Sequence, residues 1–303
     1  MPPSVSPVSG RWPEGTLDRA GAERDVDGLL DHARATRDAR VLVVHRDAAP
    51  VSDGRLRLLP VSAVRHAREW AFLGRSPDGA PLLLAVLDEE PDAVLSDGDA
   101  WAPLRAVGGD LPAEEAEILG TAVALAGWLR DAAFCPACGT RTEVRHGGWS
   151  RHCPNCGREH FPRTDPAVIV LVSSADDSDR VLLGANVAWG GGRYSCFAGF
   201  AEAGESLEDT VAREVFEEAG VRLEAIEYRG SQVWPYPRSL MLGFRARAVS
   251  DDEARADGEE IVEVRWFHRE EIGAALRGET AVQLPGAASI ARRLIEDWYR
   301  SRT

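Results

Sequence analysis

The sequence predicts an α+β protein: two mixed α/β regions with a small cysteine-rich module between them. Three observations carry this expectation. Short apolar runs bounded by Pro, Gly and Asp alternate with helical periodicity on both sides of the middle of the chain. Four of the five cysteines fall into two C-x-x-C pairs inside one short segment. With 303 residues, 44% hydrophobic and 28% charged, the chain is long enough for two buried cores and has an ordinary globular composition. The expected divisions are a flexible leader over 1–14, an N-terminal α/β domain over 15–133, the cysteine module over 134–161 and a second α/β domain over 162–303.

In the N-terminal region "VLVVH" (41–45), "RLRLLP" (55–60) and "PLLLAVL" (81–87) read as strands. Residues 113–134 carry a long helical pattern, with acids at its start and Arg130 near its end, in accord with the helix dipole. Nothing in this region names a reaction. In the second domain "AVIVLV" (167–172), "RVLLGA" (180–185), "SLMLGFRARAV" (239–249) and "IVEVRWF" (261–267) read as strands, and residues 286–300 as a closing amphipathic helix. The acidic stretch 250–260 reads as a solvated loop. No internal repeat is visible.

Composition excludes several classes of function. The formal net charge is −14, and all 35 basic residues are Arg. Such acidity argues against sequence-blind binding to nucleic acid backbones, and the absence of Lys removes Schiff-base and P-loop lysine chemistry. No apolar run approaches the ~20 residues of a membrane span. The start "MPPSVSPVSGRWPEG" lacks the features of a signal peptide, so a cytoplasmic location is the default.

"CPACG" and "CPNCG" place Cys135, Cys138, Cys153 and Cys156 on two knuckles, each closed by a Gly that permits a tight turn. Four soft thiolates select Zn²⁺ and complete its shell, so the expected role is structural. His152 and His160 flank the knuckles and read as satisfied or solvated side chains. Cys196 reads as a small buried apolar residue.

The segment "GFAEAGESLEDTVAREVFEEAGV" (199–221) crowds carboxylates onto one helix. Ser206 is the expected N-cap, Asp209 its capping partner and Gly220 the terminating residue, which gives a helix over Leu207–Ala219. Glu214, Glu217 and Glu218 then share one face at i, i+3 and i+4. Like charges so placed cost about 0.2–0.5 kcal/mol per pair. A hard divalent cation such as Mg²⁺ or Mn²⁺ offsets that repulsion and keeps coordination positions for phosphate oxygens. Arg213 is placed to reach back to Glu205 and brace the loop before the helix, and Glu208 reads as solvent-facing.

Gly199, Glu205, Arg213, Glu214, Val215, Glu217, Glu218, Gly220 and Val221 fit every fixed position of G-x₅-E-x₇-R-E-U-x-E-E-x-G-U, with U apolar. The segment therefore resembles the catalytic loop and helix of the Nudix hydrolases. That resemblance implies an α/β/α sandwich around a mixed sheet and hydrolysis of a nucleoside diphosphate linked to another group. It implies metal ligation by Glu214, Glu217 and Glu218, by the Ala198 carbonyl, and by a later acid, for which Glu260 is chosen over the near-equal Glu259.

Downstream, "SQVWPYPRSLM" (231–241) carries two X-Pro steps, which favour a stiff extended segment bearing aromatic rings. A zinc ribbon, a Nudix box and then SQ-x-WP-[FY]-P-x-S, in that order, resemble the NADH pyrophosphatase (NAD⁺ diphosphatase) family. The resemblance runs from Phe134 to the C-terminus, including "ARRLIEDW" (291–298). It implies cleavage of NAD(H) to nicotinamide mononucleotide and AMP, removal of NAD caps from RNA 5′ ends, and a homodimer whose pockets borrow residues across the two-fold. It places Phe200 as the ring-stacking residue and Phe161, Gln232, Trp234, Tyr236, Ser239 and Ala291 around the substrate. By analogy the N-terminal region aids dimerisation and Arg105 reaches the substrate. The chain departs from the family pattern at Val233, where Pro is usual, and at Tyr236, where Phe is usual. Phe161 stands where Tyr is frequent. These departures bear on preference among NADH, NAD⁺ and NAD-capped RNA.

Two competing readings follow from the same residues. One is a Nudix hydrolase of ADP-ribose, diadenosine polyphosphates or CoA-type substrates. The other is a nucleic-acid-binding regulator using a basic aromatic patch of Arg141, Arg145, His146, Trp149, Arg151 and His152 on the ribbon.

Overall fold

The computed structural model describes residues 17–89 and 98–301, and the leader expected over 1–14 lies outside the described residues. Two compact units result. Among the described residues, one is built from the segments up to Thr164 together with Pro235–Arg238, and the other from Asp165–Trp234 and the segment that begins at Ser239.

The first unit holds helices α1 (Leu29–Ala35), α2 (Leu104–Val107) and α3 (Ala113–Asp131). Its strands are β1 (Arg40–His45), β2 (Ala48–Ser52), β3 (Arg55–Leu56), β4 (Leu59–Pro60), β5 (Glu69–Arg75), β6 (Pro81–Leu87) and β7 (Ala100–Pro103). The sheet runs β3-β2-β1-β6-β5, with β4 on β1 and β7 on β2. β1 and β6 are parallel and buried on both faces, which is why both read as continuous apolar runs. Leu42, Val44, Leu82, Leu84 and Val86 pack on α3, while Val41, Val43, Leu83 and Ala85 pack on α1. The single strand expected over 55–60 is two, because β3 pairs with β2 while Leu59 in β4 pairs with Val41.

The cysteine module is a meander of β8 (Glu143–Arg145), β9 (Ser150–His152) and β10 (Glu159–His160). It belongs to the first unit. Arg151 is 1% exposed and donates to Glu69 at 2.9 Å and to the Leu129 carbonyl at 2.6 Å. The Trp149 indole donates to the Phe72 carbonyl at 2.7 Å, with Arg24 stacked over the ring. The basic aromatic patch of the competing reading is therefore incomplete, with Arg141, Arg145 and His146 left exposed. Two of its members point inward, Arg145 pairs with Glu143, and His146 contacts Asp25. A buried guanidinium requires a partner, and the sheet supplies it.

The second unit carries β11 (Asp165–Ser173), β12 (Arg180–Asn186), β13 (Phe197–Phe200), α4 (Leu207–Ala219), β14 (Leu223–Trp234), β15 (Ser239–Ala248), β16 (Ile261–His268), α5 (Arg269–Leu276) and α6 (Ile290–Arg300). The sheet order is β14-β15-β11-β12-β16, with β13 on β11. β11 and β15 are parallel, and the other pairings are antiparallel, so the sheet is mixed. Alternation along β11 sorts the core into two layers. Val168, Val170 and Val172 meet Val211, Val215 and Ala219 of α4, whereas Ile169 and Leu171 meet Ile290, Leu294, Ile295 and Trp298 of α6. Each such side chain contributes on the order of 1.5–3 kcal/mol of burial. These two layers hold the carboxylate helix on one face of the sheet. α6 starts at Ile290, later than its apolar pattern, because the Ser289 hydroxyl caps the Arg292 amide. Cys196 is buried in the α6 layer.

The acidic stretch 250–260 is more than a solvated loop. Asp251 accepts from Ser174, from the Ala175 amide and from Arg180, which pins the turn between β11 and β12.

Candidate active site and zinc centre

α4 forms over Leu207–Ala219, capped by the Ser206 side chain on the Asp209 amide and ended by Gly220 in the left-handed region at φ 69°. It lies against β13, and Gly199 marks the closest approach. A Cβ there would sit 1.9 Å from the Glu214 carboxyl carbon, so only glycine admits the carboxylate.

Arg213 is the hub of the loop and helix. Its guanidinium donates to Glu205 through two bonds of 2.8 and 2.9 Å, to Glu214 and Glu217 at 3.0 Å each, and to the Phe200 carbonyl at 3.0 Å. Those five bonds match the five N–H donors of the fork. Glu205 also accepts from the Glu202 amide and from Thr210. Arg213, first among its partners, holds the Glu205 carboxyl at about 2, well below the usual range.

The remaining carboxylates are graded in depth. The Glu217 side chain is 57% exposed and that of Glu214 is 14% exposed. Glu218 is 5% exposed, and its Oε2 has no hydrogen-bond partner among the described residues. Burial raises the Glu214 carboxyl despite Arg213. Burial, reinforced by the charges of Glu260 and Glu214, pushes Glu218 up to about 8, although the Ala198 backbone amide donates to it. Glu260 thus bears on both Glu214 and Glu218. A buried carboxylate with an orphaned oxygen and like charges around it has the chemistry that a hard divalent cation satisfies, while no three of these carboxylates bring an oxygen each within 4.8 Å of one another.

The thiolates fit their metal more directly. Cys135, Cys138, Cys153 and Cys156 place their sulfurs within 4.8 Å of one another, the one such gathering of three or more His, Cys, Asp or Glu side chains among the described residues. Opposite sulfurs lie 3.7 Å (Cys135 to Cys156) and 3.5 Å (Cys138 to Cys153) apart. A tetrahedron with Zn–S bonds of about 2.3 Å has edges of about 3.8 Å. The two knuckles are equivalent: Gly139 and Gly157 sit at φ 74° and 71°, donating to the carbonyls of Cys135 and Cys153. His152 and His160 stay outside the cluster.

The aromatic and proline-rich segment departs from expectation. Ser231 to Trp234 are the end of β14, Trp234 pairs with Ser239, and Pro235–Arg238 make a four-residue turn. Antiparallel pairing of β14 with β15 requires the chain to reverse there, which overrides the extended bias of the X-Pro steps. Tyr236 packs beneath Arg105, whose guanidinium lies 4.6 Å from the ring centroid, both in the first unit. Phe161 in the first unit and Phe200 in the second are exposed rings. Gln232 is engaged internally: its amide donates to the Ala288 carbonyl and accepts from the Ile290 amide, both at 2.7 Å. It thereby fixes the start of α6, where Ala291 is buried beside Cys196, and Ser239 is buried as well. Sequence patterning missed β14 altogether, since bulges between Glu224 and Glu227 and between Tyr228 and Gly230 interrupt its alternation.

Comparison with known proteins agrees with this architecture. A family model described as "NUDIX domain" matches residues 163–287, one described as "NADH pyrophosphatase zinc ribbon domain" matches 130–161, and one described as "NADH pyrophosphatase-like rudimentary NUDIX domain" matches 24–128. The four thiolates accordingly form a structural zinc site, and the Nudix domain implies a divalent metal. Residues 24–128, in which no repeat is visible by sequence, thus match a model of a Nudix-like domain. The "NAD-capped RNA hydrolase NudC" of Mycobacterium tuberculosis is 39% identical over 265 residues, covering 84% of this chain and 83% of its own length. The protein of the same name from Pseudomonas aeruginosa is 39% identical over 246 residues, covering 80% of this chain and 79% of its own length. A solved Nudix hydrolase from Nitrosomonas europaea is 26% identical, with a TM-score of 0.36, covering 50% of this chain and 96% of that one. A ribbon of four thiolates, a complete carboxylate helix and relatives matched over most of their length place this chain in the NudC-type NADH pyrophosphatase family of Nudix hydrolases.

Proposed function

We propose that the chain hydrolyses the pyrophosphate bond of NAD(H), releasing NMN(H) and AMP, and removes NAD caps from RNA 5′ ends. The observation that carries this reading is the complete box, with Glu218 buried and Glu205 locked to Arg213, in a chain whose relatives over four-fifths of its length act on NAD-capped RNA.

Glu214, Glu217, Glu218 and Glu260, with the Ala198 carbonyl, are the residues that would hold Mg²⁺ or Mn²⁺. When bound, such ions neutralise the crowded charge of the pyrophosphate and lower the pKa of attacking water. In the metal-free fold burial holds the Glu218 carboxyl far above the ordinary range, so binding of a divalent cation would displace its proton. Arg213 keeps the loop after Phe200 against the helix, so the exposed Phe200 ring stays beside the carboxylates as a stacking surface. Gln232 holds the α6 start in place, with Ala291 and Ser239 behind it. Phe161, Trp234 and Tyr236 complete the substrate contacts in this reading. The domains are residues 15–133, 134–161 and 162–303, and the enzyme is a cytoplasmic homodimer. Among the described residues no helix is long and apolar enough to cross a membrane.

A product assay with NADH, NAD⁺, NAD-capped RNA and ADP-ribose, each with Mg²⁺ or Mn²⁺, tests the proposal. NMN(H) and AMP, or 5′-monophosphate RNA, are the expected products. Preferential turnover of ADP-ribose by kcat/KM would replace the substrate assignment.

A further inference from the structure

The loop that delivers Glu260 is organised by a residue the Nudix pattern does not name. One oxygen of Asp257, Oδ1, accepts from three successive backbone amides: Glu259 at 2.7 Å, Glu260 at 3.0 Å and Ile261 at 3.0 Å. Gly258 makes the turn possible at φ 80°, and its amide donates to the Ile261 carbonyl at 3.0 Å. The far side of the loop is tied as well. The Glu260 carbonyl accepts from the Val187 amide at 2.9 Å, and Asn186 donates to the Glu260 carboxylate at 3.3 Å. Residues 257–260 are exposed, and buried packing resumes only at Ile261, the first residue of β16, so it does not fix the backbone that carries Glu260. A side-chain oxygen that gathers three N–H groups fixes that backbone by local hydrogen bonding instead.

We propose that Asp257 is a positioning residue for Glu260: by gathering the amides of residues 259–261 on one oxygen it fixes the backbone from which Glu260 reaches the divalent cation. The inference rests on the assignment of Glu260 as a metal ligand. Asp257 acts through Glu260 and is not itself assigned as a ligand. Removing partners that orient metal ligands typically costs 10- to 100-fold in metal affinity.

The test is Mn²⁺ binding to the full-length, zinc-loaded protein, read by the EPR signal of free Mn²⁺, with circular dichroism to check the fold. Asp257→Ala is expected to weaken binding ~10- to 100-fold. Asp257→Asn keeps an acceptor oxygen and loses the charge, and it is expected to restore most of the affinity. Adding Asp257→Ala to Glu260→Gln should weaken binding no further than Glu260→Gln alone, because the two act as one unit. Gly258→Ala strains the same turn without removing any acceptor and should weaken binding several-fold, which keeps the idea testable if Asp257→Ala fails to fold. Binding by Asp257→Ala equal to wild type, beside an impaired Glu260→Gln, would overturn the inference. So would an Asn variant as weak as the Ala variant, which would assign the effect to charge. Unimpaired binding by Glu260→Gln would instead remove the ligand assignment on which the inference stands.

Discussion

Replacing Glu218 by Gln should stabilise the metal-free protein at alkaline pH while abolishing turnover. The carboxyl stands at about 8 in the fold against an ordinary 4.5, because burial and the neighbouring carboxylates disfavour its charge. Below pH 4.5 the group is protonated both folded and unfolded, and its stabilising contribution is fully present. As pH rises from 4.5 the unfolded chain releases the proton first, so folding stability falls, and the loss is complete once pH passes the folded value near 8. A displacement of that size corresponds to at most ~5 kcal/mol. Gln has the same shape, still accepts from the Ala198 amide and has no proton to lose. Thermal unfolding followed by circular dichroism from pH 4 to 9, with Mg²⁺ and Mn²⁺ omitted, should therefore give coincident melting temperatures near pH 4. The variant should be higher near pH 8, by on the order of 10 °C. Adding Mn²⁺ should raise the wild type more than the variant, which keeps the remaining ligands but lacks one. Parallel melting curves across the whole range would refute the reasoning, since they would mean that Glu218 ionises in the fold as freely as in water.

The Arg213 hub yields a prediction of opposite sign. Glu205 is held at about 2, so its contribution is present above its ordinary pKa and fades as pH falls from 4.5 toward 2. Arg213→Ala should remove that acid-side dependence, measured as the slope of melting temperature against pH, and should lower kcat/KM by at least ~10-fold through loss of oriented binding. Arg151→Ala leaves Glu69 without its buried partner and should cost about 3–5 kcal/mol in denaturant unfolding of the first unit. Cys153→Ser should abolish stoichiometric zinc, measured by elemental analysis, and expose the ribbon to limited proteolysis.

Local chemistry explains what could be read directly. α4 begins and ends where Ser206 and Gly220 placed it, because caps act over three or four residues and need no distant partner. β6 coincides with "PLLLAVL", since a strand buried on both faces is a continuous apolar run. The two cysteine knuckles follow from spacing alone, as their turns close within each C-x-x-C-G. Elements that depend on distant partners were not legible. β14 is interrupted by bulges, and α1 buries only Leu29 and Ala33 against a sheet formed later in the chain.

At the site the same boundary appears. Residue types and spacing alone establish that carboxylates, an arginine and four thiolates act together, because their chemistry needs those groups within one helix or one pair of turns. They do not reveal that Glu218 is the buried member of the trio or that Glu260 bears on it. Nor do they reveal that Gln232 closes on α6, or that Trp149 and Arg151 face the sheet. Depth, charge neighbourhood and hydrogen-bond saturation are set by segments far apart in the chain. They come into being only when the two faces of the sheet are packed.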